Sequence, residues 1–181
     1  MSQSDTARKA VSVPPHPLLN HPAPAFELPE ARGNLVNLAD LRRAGWLVLY
    51  FYPKDLSPGC TSQACDFNSK VALWPDVRIV GISADSPASH QKFAQRHQLA
   101  FTLLSDGDHR VAAAYGVYYG VYKEKSLYGR QFMGIERTTF LIDSAGTVRQ
   151  VFAKVKVRGH AEAVAAALAA LKAIPQPQLP Q

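Results

Sequence analysis

An uninterrupted apolar run extends from Trp46 to Tyr52 and ends in a segment rich in turn-forming residues. A short apolar run bounded in this way is typical of a buried β-strand, and Pro53 to Gly59 supplies the turn. The residues after Pro58 include few helix breakers and predict a helix. This part of the chain therefore predicts a strand, a turn and a helix in direct succession.

Short apolar runs alternate with amphipathic stretches along the rest of the chain, and no internal repeat or linker separates them. Asp85 or Ser86 is placed to cap a helix that has Pro87 in its first turn, and Gly116 is placed to end the next helix. The further predicted strands are 77–83, 101–104, 137–142 and 147–155, and the further predicted helices are 87–98, 108–115 and about 160–173.

The short turn Asp143 to Gly146 forces the last two strands into an antiparallel hairpin. The order strand, helix, strand, helix, hairpin, helix predicts an α/β thioredoxin-like fold, with a central mixed sheet flanked by helices. We interpret Tyr118 to Met133, rich in Tyr, Gly and Lys, as a mobile loop near the active site. Proline-rich flexible tails are expected over 1–23 and 175–181, which leaves one domain over 24–174.

The composition fits one ordinary domain. With 181 residues and 47% hydrophobic content, the chain can bury a full core without disulfides or metals. Its only cysteines, Cys60 and Cys65, are five positions apart, and a disulfide that closes so short a loop adds little stability. A reactive pair is therefore favoured over a structural one.

The charge pattern and the N-terminus limit the classes of partner and location. The net charge is +6, but the basic residues are scattered and do not favour nucleic-acid binding. A basic surface that attracts an acidic reductase or anionic substrates is the alternative to an ordinary solvated surface. No run approaches a membrane span, no signal sequence is evident, and Asp5 argues against organellar targeting. A soluble cytoplasmic protein is expected.

Cys60 falls in the first turn of the helix predicted after Pro58. There the unpaired backbone N–H groups and the helix dipole stabilise a thiolate. An ordinary thiol is already about 7% ionised at pH 7.4, so complete ionisation raises the thiolate population only about 14-fold. Fast attack on an oxidant therefore needs donors aimed at the bond being broken, and Ser57 and Arg137 are the candidates.

Each candidate also has a purely structural interpretation. Ser57 before Pro58 could simply cap the helix, and Arg137 could pair at the surface with Glu136 or Asp143. The cysteines could be buried structural thiols. A zinc site is not favoured, and His160 is interpreted as a helix-start residue rather than a base. The histidines considered as metal ligands, none close in sequence to another, are His90, His97, His109 and His160.

Several motifs, in the right order along the chain, resemble the peroxiredoxins. Pro53, Ser57 and Cys60 match the family signature Pro-x-x-x-Thr/Ser-x-x-Cys, with serine where threonine is commoner. The resemblance extends from about residue 23 to 171 and is closest to the Q-type, or bacterioferritin comigratory, subfamily. The segments that carry the subfamily resemblance are 51–55, 85–87, 103–106 and 136–143.

The resemblance implies a thioredoxin-like fold, reduction of hydrogen peroxide and alkyl hydroperoxides, and neither a metal nor an organic cofactor. By position, Cys60 would be the peroxidatic cysteine, Pro53 would shield it, Ser57 would organise the peroxide and Arg137 would complete the pocket. Cys65 matches the resolving cysteine of those members that carry it five residues on. Many relatives of this type are monomeric, so a monomer is expected.

Helix geometry predicts a conformational step. Five residues along an α-helix separate two Cα atoms by a rise of about 7.5 Å and a turn of about 140°, which is beyond disulfide reach. The helix start must therefore unwind before Cys60 and Cys65 can join. The expected cycle is a Cys60 sulfenic acid, condensation with Cys65, and reduction of the disulfide by thioredoxin or a thioredoxin-like protein.

Two other functions stay open at this point. A thiol–disulfide oxidoreductase acting on proteins usually presents Cys-x-x-Cys, and the four residues between these cysteines argue against it. A redox-sensing binding module would use the same disulfide to alter a partner interface. Turnover separates these functions, because a sensor reacts once whereas a peroxidase consumes many equivalents of peroxide.

Overall fold

The computed structural model of the chain describes residues 14–122 and 131–175. A short 3-10 turn follows the first helix and another follows the second. The helices are α1 (Leu38–Leu41), α2 (Pro58–Asn68), α3 (Pro87–His97), α4 (Arg110–Ala114) and α5 (His160–Lys172). The strands are β1 (Glu27–Pro29), β2 (Leu35–Asn37), β3 (Trp46–Phe51), β4 (Val77–Ser83), β5 (Thr102–Ser105), β6 (Tyr118–Tyr122), β7 (Gln131–Ile135), β8 (Thr138–Ile142) and β9 (Val148–Phe152).

A five-stranded mixed sheet in the order β5-β4-β3-β8-β9 forms the centre of the fold. β3 pairs in parallel with β4 and antiparallel with β8, and β8 and β9 form the expected antiparallel hairpin. Every residue of β3 is buried, because helices or loops cover both faces of the central strand. The predicted thioredoxin-like architecture is confirmed.

The alternation of side chains along β3 divides the core into two layers. Leu47, Leu49 and Phe51 point into a cluster that includes residues of α1 and α4. Trp46, Val48 and Tyr50 point to the opposite face, where α2, α3 and α5 contribute the core residues Phe67, Phe93, Val164 and Leu168. This second layer also contains Cys60, which therefore lies on the face covered by α2 and α5.

One interpretation of the sequence needs correction, and three short elements were missed. The segment Tyr118 to Met133 is not simply a loop, because β6 and β7 pair antiparallel with Tyr118 opposite Ile135. Frequent Gly and Tyr residues hid the alternation that marks these strands, and residues 123–130 lie outside the described part. The short elements β1, β2 and α1 were also not anticipated.

The folded part begins earlier than the expected boundary at residue 24. The amide of Asn20 donates to the Val148 carbonyl at 2.8 Å, and the amide of Ala23 donates to the Gly146 carbonyl at 2.8 Å. The His16 ring packs edge-on against Phe140, with ring centroids 5.3 Å apart. The prolines of this segment leave such contacts intact, because the residues between them supply the donors. The other parts of the expected tails, residues 1–13 and 176–181, lie outside the described residues.

Within the described ranges, no helix is long and apolar enough to cross a bilayer.

Candidate active site

Cys60 lies in the first turn of α2, directly beyond the end of β3. Ser57 stands at the N-cap position with extended backbone, and Pro58 fits the first helical position because no N–H is needed there. The Cys60 residue is only 1% exposed. The buried cluster that contains it includes Tyr50, Tyr52, Ala64 and Phe67. The fold therefore holds a buried thiol beside the N-terminal end of a helix dipole.

Cys65 lies on the same helix but at the surface. α2 is continuous from Pro58 to Asn68, and Cys60 is buried whereas Cys65 is exposed. Both are free thiols in this conformation. This arrangement agrees with the helical spacing, which turns the two side chains toward different faces.

Arg137 contacts the buried thiol directly. β8 runs beside β3, with Thr138 opposite Phe51, and this register places the preceding Arg137 over the start of α2. Its Nη2 donates to Cys60 Sγ at 3.3 Å. A Cβ at Gly59 would lie 3.3 Å from the same nitrogen, so glycine leaves the guanidinium room to approach. Arg137 thus presents a permanent positive charge, with its donors in a rigid fork, to the Cys60 sulfur.

The alternative surface pairing of Arg137 with Asp143 is not seen. The Asp143 carboxylate accepts instead from Arg149 Nε at 2.6 Å and from the Thr147 amide at 2.9 Å. Arg137 is thus available to the thiol, while Asp143 stabilises the β8–β9 hairpin.

Ser57 and Pro53 both lie in the turn before α2, with different exposure. Ser57 is half-buried, and its hydroxyl donates to the Lys54 carbonyl at 3.0 Å. The Ser57 side chain accepts no helix N–H, so the cap interpretation of its hydroxyl is wrong even though the residue occupies the N-cap position. Pro53 is exposed on the turn. Its role as a shield of Cys60 stays a prediction.

Gln63 is a site residue that the sequence analysis missed. It lies three positions after Cys60 on α2, is 2% exposed, and accepts from Arg137 Nη1 at 2.6 Å. The signal that could have found it is this spacing, because residues three apart on a helix share a face. Gln63 Nε2, Tyr50 Oη and Thr138 Oγ1 are buried and find no hydrogen-bond partner among the described residues.

Two further ionisable groups near the site are neutral at physiological pH. Burial, and then the nearby Cys60 and Asp55, raise the pKa of Tyr50 well above its ordinary value. Burial, and then the Arg137 charge, lower the pKa of His160 to about 4. His160 begins α5, as expected, and its Nε2 shares a hydrogen bond of 2.8 Å with Thr139 Oγ1. Arg137 is therefore the cation that acts on the thiol.

Comparison with known proteins gives a consistent family assignment. Residues 19–151 match the AhpC/TSA family. Peroxiredoxin Bcp of Xanthomonas campestris is 46% identical over 159 residues, which cover 84% of this chain and 95% of that protein. Peroxiredoxin Bcp of Bacillus subtilis is 45% identical over 152 residues, which cover 83% of this chain and 92% of that protein.

Solved structures agree with these relatives. The chain resembles the X. campestris bacterioferritin comigratory protein, whose alkyl peroxide reduction activity was studied in trapped intermediate and ligand complexes. The TM-score is 0.71 at 44% identity, covering 80% of this chain and 90% of that one. BcpB of Mycobacterium tuberculosis gives a TM-score of 0.74 at 35% identity, covering 87% of this chain and 98% of that one. The chain therefore belongs to the AhpC/TSA family and is a thiol peroxidase of the peroxiredoxin Q, or Bcp, type.

Proposed function

We propose that Cys60 is the peroxidatic cysteine of this enzyme and that Arg137, Ser57 and Pro53 form its pocket. The observation that carries the proposal is the 3.3 Å hydrogen bond from Arg137 Nη2 to Cys60 Sγ. It joins a permanent cation to the one thiol that the fold buries at a helix N-terminus. The thiolate is the nucleophilic form of a cysteine, and a cation in direct contact with the sulfur is one of its usual partners.

The substrates we propose are hydrogen peroxide and organic hydroperoxides. The Cys60 thiolate attacks one peroxide oxygen, an S–O bond forms and the O–O bond breaks. The sulfur is oxidised to a sulfenic acid, and the departing oxygen takes up a proton to leave as water or an alcohol. In this proposal Arg137 and Ser57 hydrogen bond the oxygens as charge develops on them, and the Ser57 hydroxyl exchanges its bond to the Lys54 carbonyl for one to the peroxide. The alkyl peroxide reduction studied in the X. campestris relative supports the organic substrates.

An unpaired polar group beside Arg137 supports binding of an oxygen-rich substrate there. Gln63 Nε2 is buried without a partner among the described residues. A buried polar atom without a partner is rare in a folded protein, and a bound ligand is one of its ordinary explanations. Gln63 already contacts Arg137, so its amide is well placed to donate to a peroxide oxygen.

Cys65 acts in this proposal as the resolving cysteine. Its thiol attacks the sulfenic acid sulfur, the disulfide forms and water leaves. Because the α-helical spacing prevents the two sulfurs from meeting, the first turns of α2 unwind for this step. The disulfide then becomes accessible to thioredoxin or a thioredoxin-like dithiol, which is oxidised as Cys60 and Cys65 are reduced.

The remaining features of the enzyme also stay proposals. Two free thiols and no structural disulfide among the described residues suit a reducing compartment, so we place the enzyme in the cytoplasm. We expect a monomer, which size-exclusion chromatography with light scattering would test.

Stopped-flow consumption of hydrogen peroxide by the reduced protein tests the cycle, first alone and then with thioredoxin and its reductase. We expect rapid multiple turnover for the wild type and none for Cys60→Ser. Cys65→Ser should keep the first oxidation but lose thioredoxin-supported cycling. Unchanged steady-state turnover of Cys65→Ser would remove Cys65 from the mechanism, and a single slow oxidation of the wild type would favour a redox sensor.

A further inference from the structure

A buried ion pair lies beneath the turn that presents Cys60. His90 Nδ1 is 2.8 Å from Asp55 Oδ2, and the two side chains are 0% and 1% exposed. Asp55 belongs to the turn between β3 and α2, whereas His90 comes from α3. The pair therefore connects residues 53–57, here called the catalytic turn, to a helix that takes no part in the proposed chemistry.

Both ring nitrogens of His90 face acceptors. His90 Nε2 is 3.0 Å from the Leu104 carbonyl, which can only accept. His90 Nδ1 faces Asp55 Oδ2, which also accepts from the Ser89 hydroxyl at 2.7 Å, while Asp55 Oδ1 accepts from the Tyr52 hydroxyl at 2.6 Å. This geometry is that of a histidine ring that donates from both nitrogens, one of them to a carboxylate.

The charges of the pair compensate one another. Burial alone raises the pKa of Asp55, but hydrogen bonds from His90, Tyr52 and Ser89 outweigh it and hold that pKa below its ordinary value. A buried charge is tolerated only when it is paired and hydrogen bonded in this way. Removal of either partner leaves the other without compensation.

The backbone of Asp55 is also held. Its amide donates to Asp85 Oδ2 at 2.8 Å, and the same oxygen accepts from the Ser83 hydroxyl at 2.7 Å. The next residue, Leu56, has a φ of 61° and is 42% exposed. Left-handed backbone is unfavourable for leucine, so it persists only where the surrounding contacts impose it. Asp55 directly precedes Leu56, so the contacts of Asp55 hold the chain on one side of this strained residue.

We propose that His90 is a positioning residue and that its ion pair with Asp55 is a latch for the catalytic turn. The latch holds residues 53–57, and with them Cys60, in the conformation that reacts with peroxide. Unwinding of α2 lets Leu56 leave the left-handed region, and the Asp55 contacts oppose that release. The latch thereby sets the balance between the dithiol and the disulfide form, and this second role rests on the proposed Cys60–Cys65 disulfide.

The variant Asp55→Asn tests the latch with little change of shape. The side-chain amide can still accept from Tyr52, but the negative charge that faces His90 is gone. We expect the rate constant of Cys60 with hydrogen peroxide to fall about tenfold, because a small displacement of a reacting group is costly. We also expect the disulfide to be favoured about tenfold in glutathione redox buffers, a reduction potential about 30 mV more negative.

Asp143→Asn is the matched control. Asp143 is 2% exposed and hydrogen bonded to Arg149. Like Asp55→Asn, this substitution removes a buried and paired carboxylate, but Asp143 does not contact the catalytic turn. Global destabilisation alone would change both variants alike, whereas the latch predicts changed kinetics and potential only for Asp55→Asn. Should Asp55→Asn fail to fold, Ser89→Ala removes a single bond to Asp55 and should shift both quantities less, in the same direction.

Nitrogen NMR of the histidine rings reports the protonation of each ring nitrogen, which kinetics cannot show. Both ring nitrogens of His90 should be protonated in the reduced wild type, and Asp55→Asn should remove the proton from Nδ1. A neutral His90 in the wild type, equal effects of the two Asn variants, or an unchanged disulfide potential would each overturn the latch. If mass spectrometry of the wild type finds no Cys60–Cys65 disulfide, the proposed resolving mechanism is wrong. The latch is then tested by the rate constant of Cys60 with hydrogen peroxide, which should still fall in Asp55→Asn and not in Asp143→Asn.

Discussion

Arg137 and Gln63 share a hydrogen bond of 2.6 Å between Nη1 and Oε1, although they are 74 positions apart in the chain. This bond fixes the rotation of the guanidinium, so that the other terminal nitrogen faces Cys60 Sγ at 3.3 Å. Gln63 and Cys60 lie on the same helix, nearly one turn apart. Unwinding of the start of α2 would therefore separate Arg137 from the thiol and from its support.

Gln63→Met should slow the reaction of Cys60 with hydrogen peroxide about tenfold, because the guanidinium loses its orientation. The free energy of unfolding should change by less than about 1 kcal/mol, since the substitution also removes the buried Nε2 that has no partner among the described residues. Stopped-flow kinetics and urea unfolding measure the two quantities. A large loss of stability with unchanged kinetics would contradict this role for Gln63.

Arg137→Lys should lower the same rate constant by about 100-fold, even though the charge is kept. Lysine offers a point charge rather than a planar fork, so it cannot contact Cys60 and Gln63 in the present geometry. Arg149→Lys is the control, because Arg149 pairs with Asp143 in the β8–β9 hairpin. The rate constant of Arg149→Lys should stay close to that of the wild type. If the rate constant of Arg137→Lys also stays close to the wild-type value, a positive charge alone is sufficient at this position.

Stability at acidic pH should depend on His160. Its pKa is about 4 in the folded state and 6.5 as a model value, so the unfolded chain binds the proton first as the pH falls. The stabilisation is complete above about pH 6.5 and is lost toward pH 4, by about 3 kcal/mol in total. The difference in unfolding free energy between wild type and His160→Asn should shrink by that amount between pH 7.5 and 4.

Urea unfolding at several pH values measures this difference. His21→Asn, a change at an exposed histidine, is the control and should run parallel to the wild type. A pH-independent difference for His160→Asn would mean that the ring is not held neutral in the folded state.

Gly81→Ala should destabilise the core by about 2–3 kcal/mol. A Cβ at this position would lie 2.9 Å from Leu103 Cδ2 and 2.9 Å from both Cζ and Oη of Tyr50. Both neighbours are buried and cannot move aside without disturbing the layer that contains Cys60. Gly107→Ala, where nothing lies within 4 Å, should change the unfolding free energy by no more than about 0.5 kcal/mol. Equal effects of the two substitutions would contradict this account.

Residue order alone predicts the strand, turn and helix around Cys60, because apolar periodicity, turn-forming residues and Pro at a helix start act within a few positions of one another. For the same reason, β4 and α3 were predicted to within one residue at each end. The helical spacing of Cys60 and Cys65 likewise follows from local geometry. The paired strands β6 and β7 were missed because their pattern carries little alternation.

Contacts across the fold have no such local signal. The sequence named Arg137 but could not choose between the thiol and a surface carboxylate, since that choice depends on β8 lying beside β3. Gln63 at the guanidinium and His90 beneath the catalytic turn meet their partners only once α2 and α3 pack on the central sheet. Burial then gives these contacts their strength, because a charge or a polar atom removed from water must find its partner within the protein.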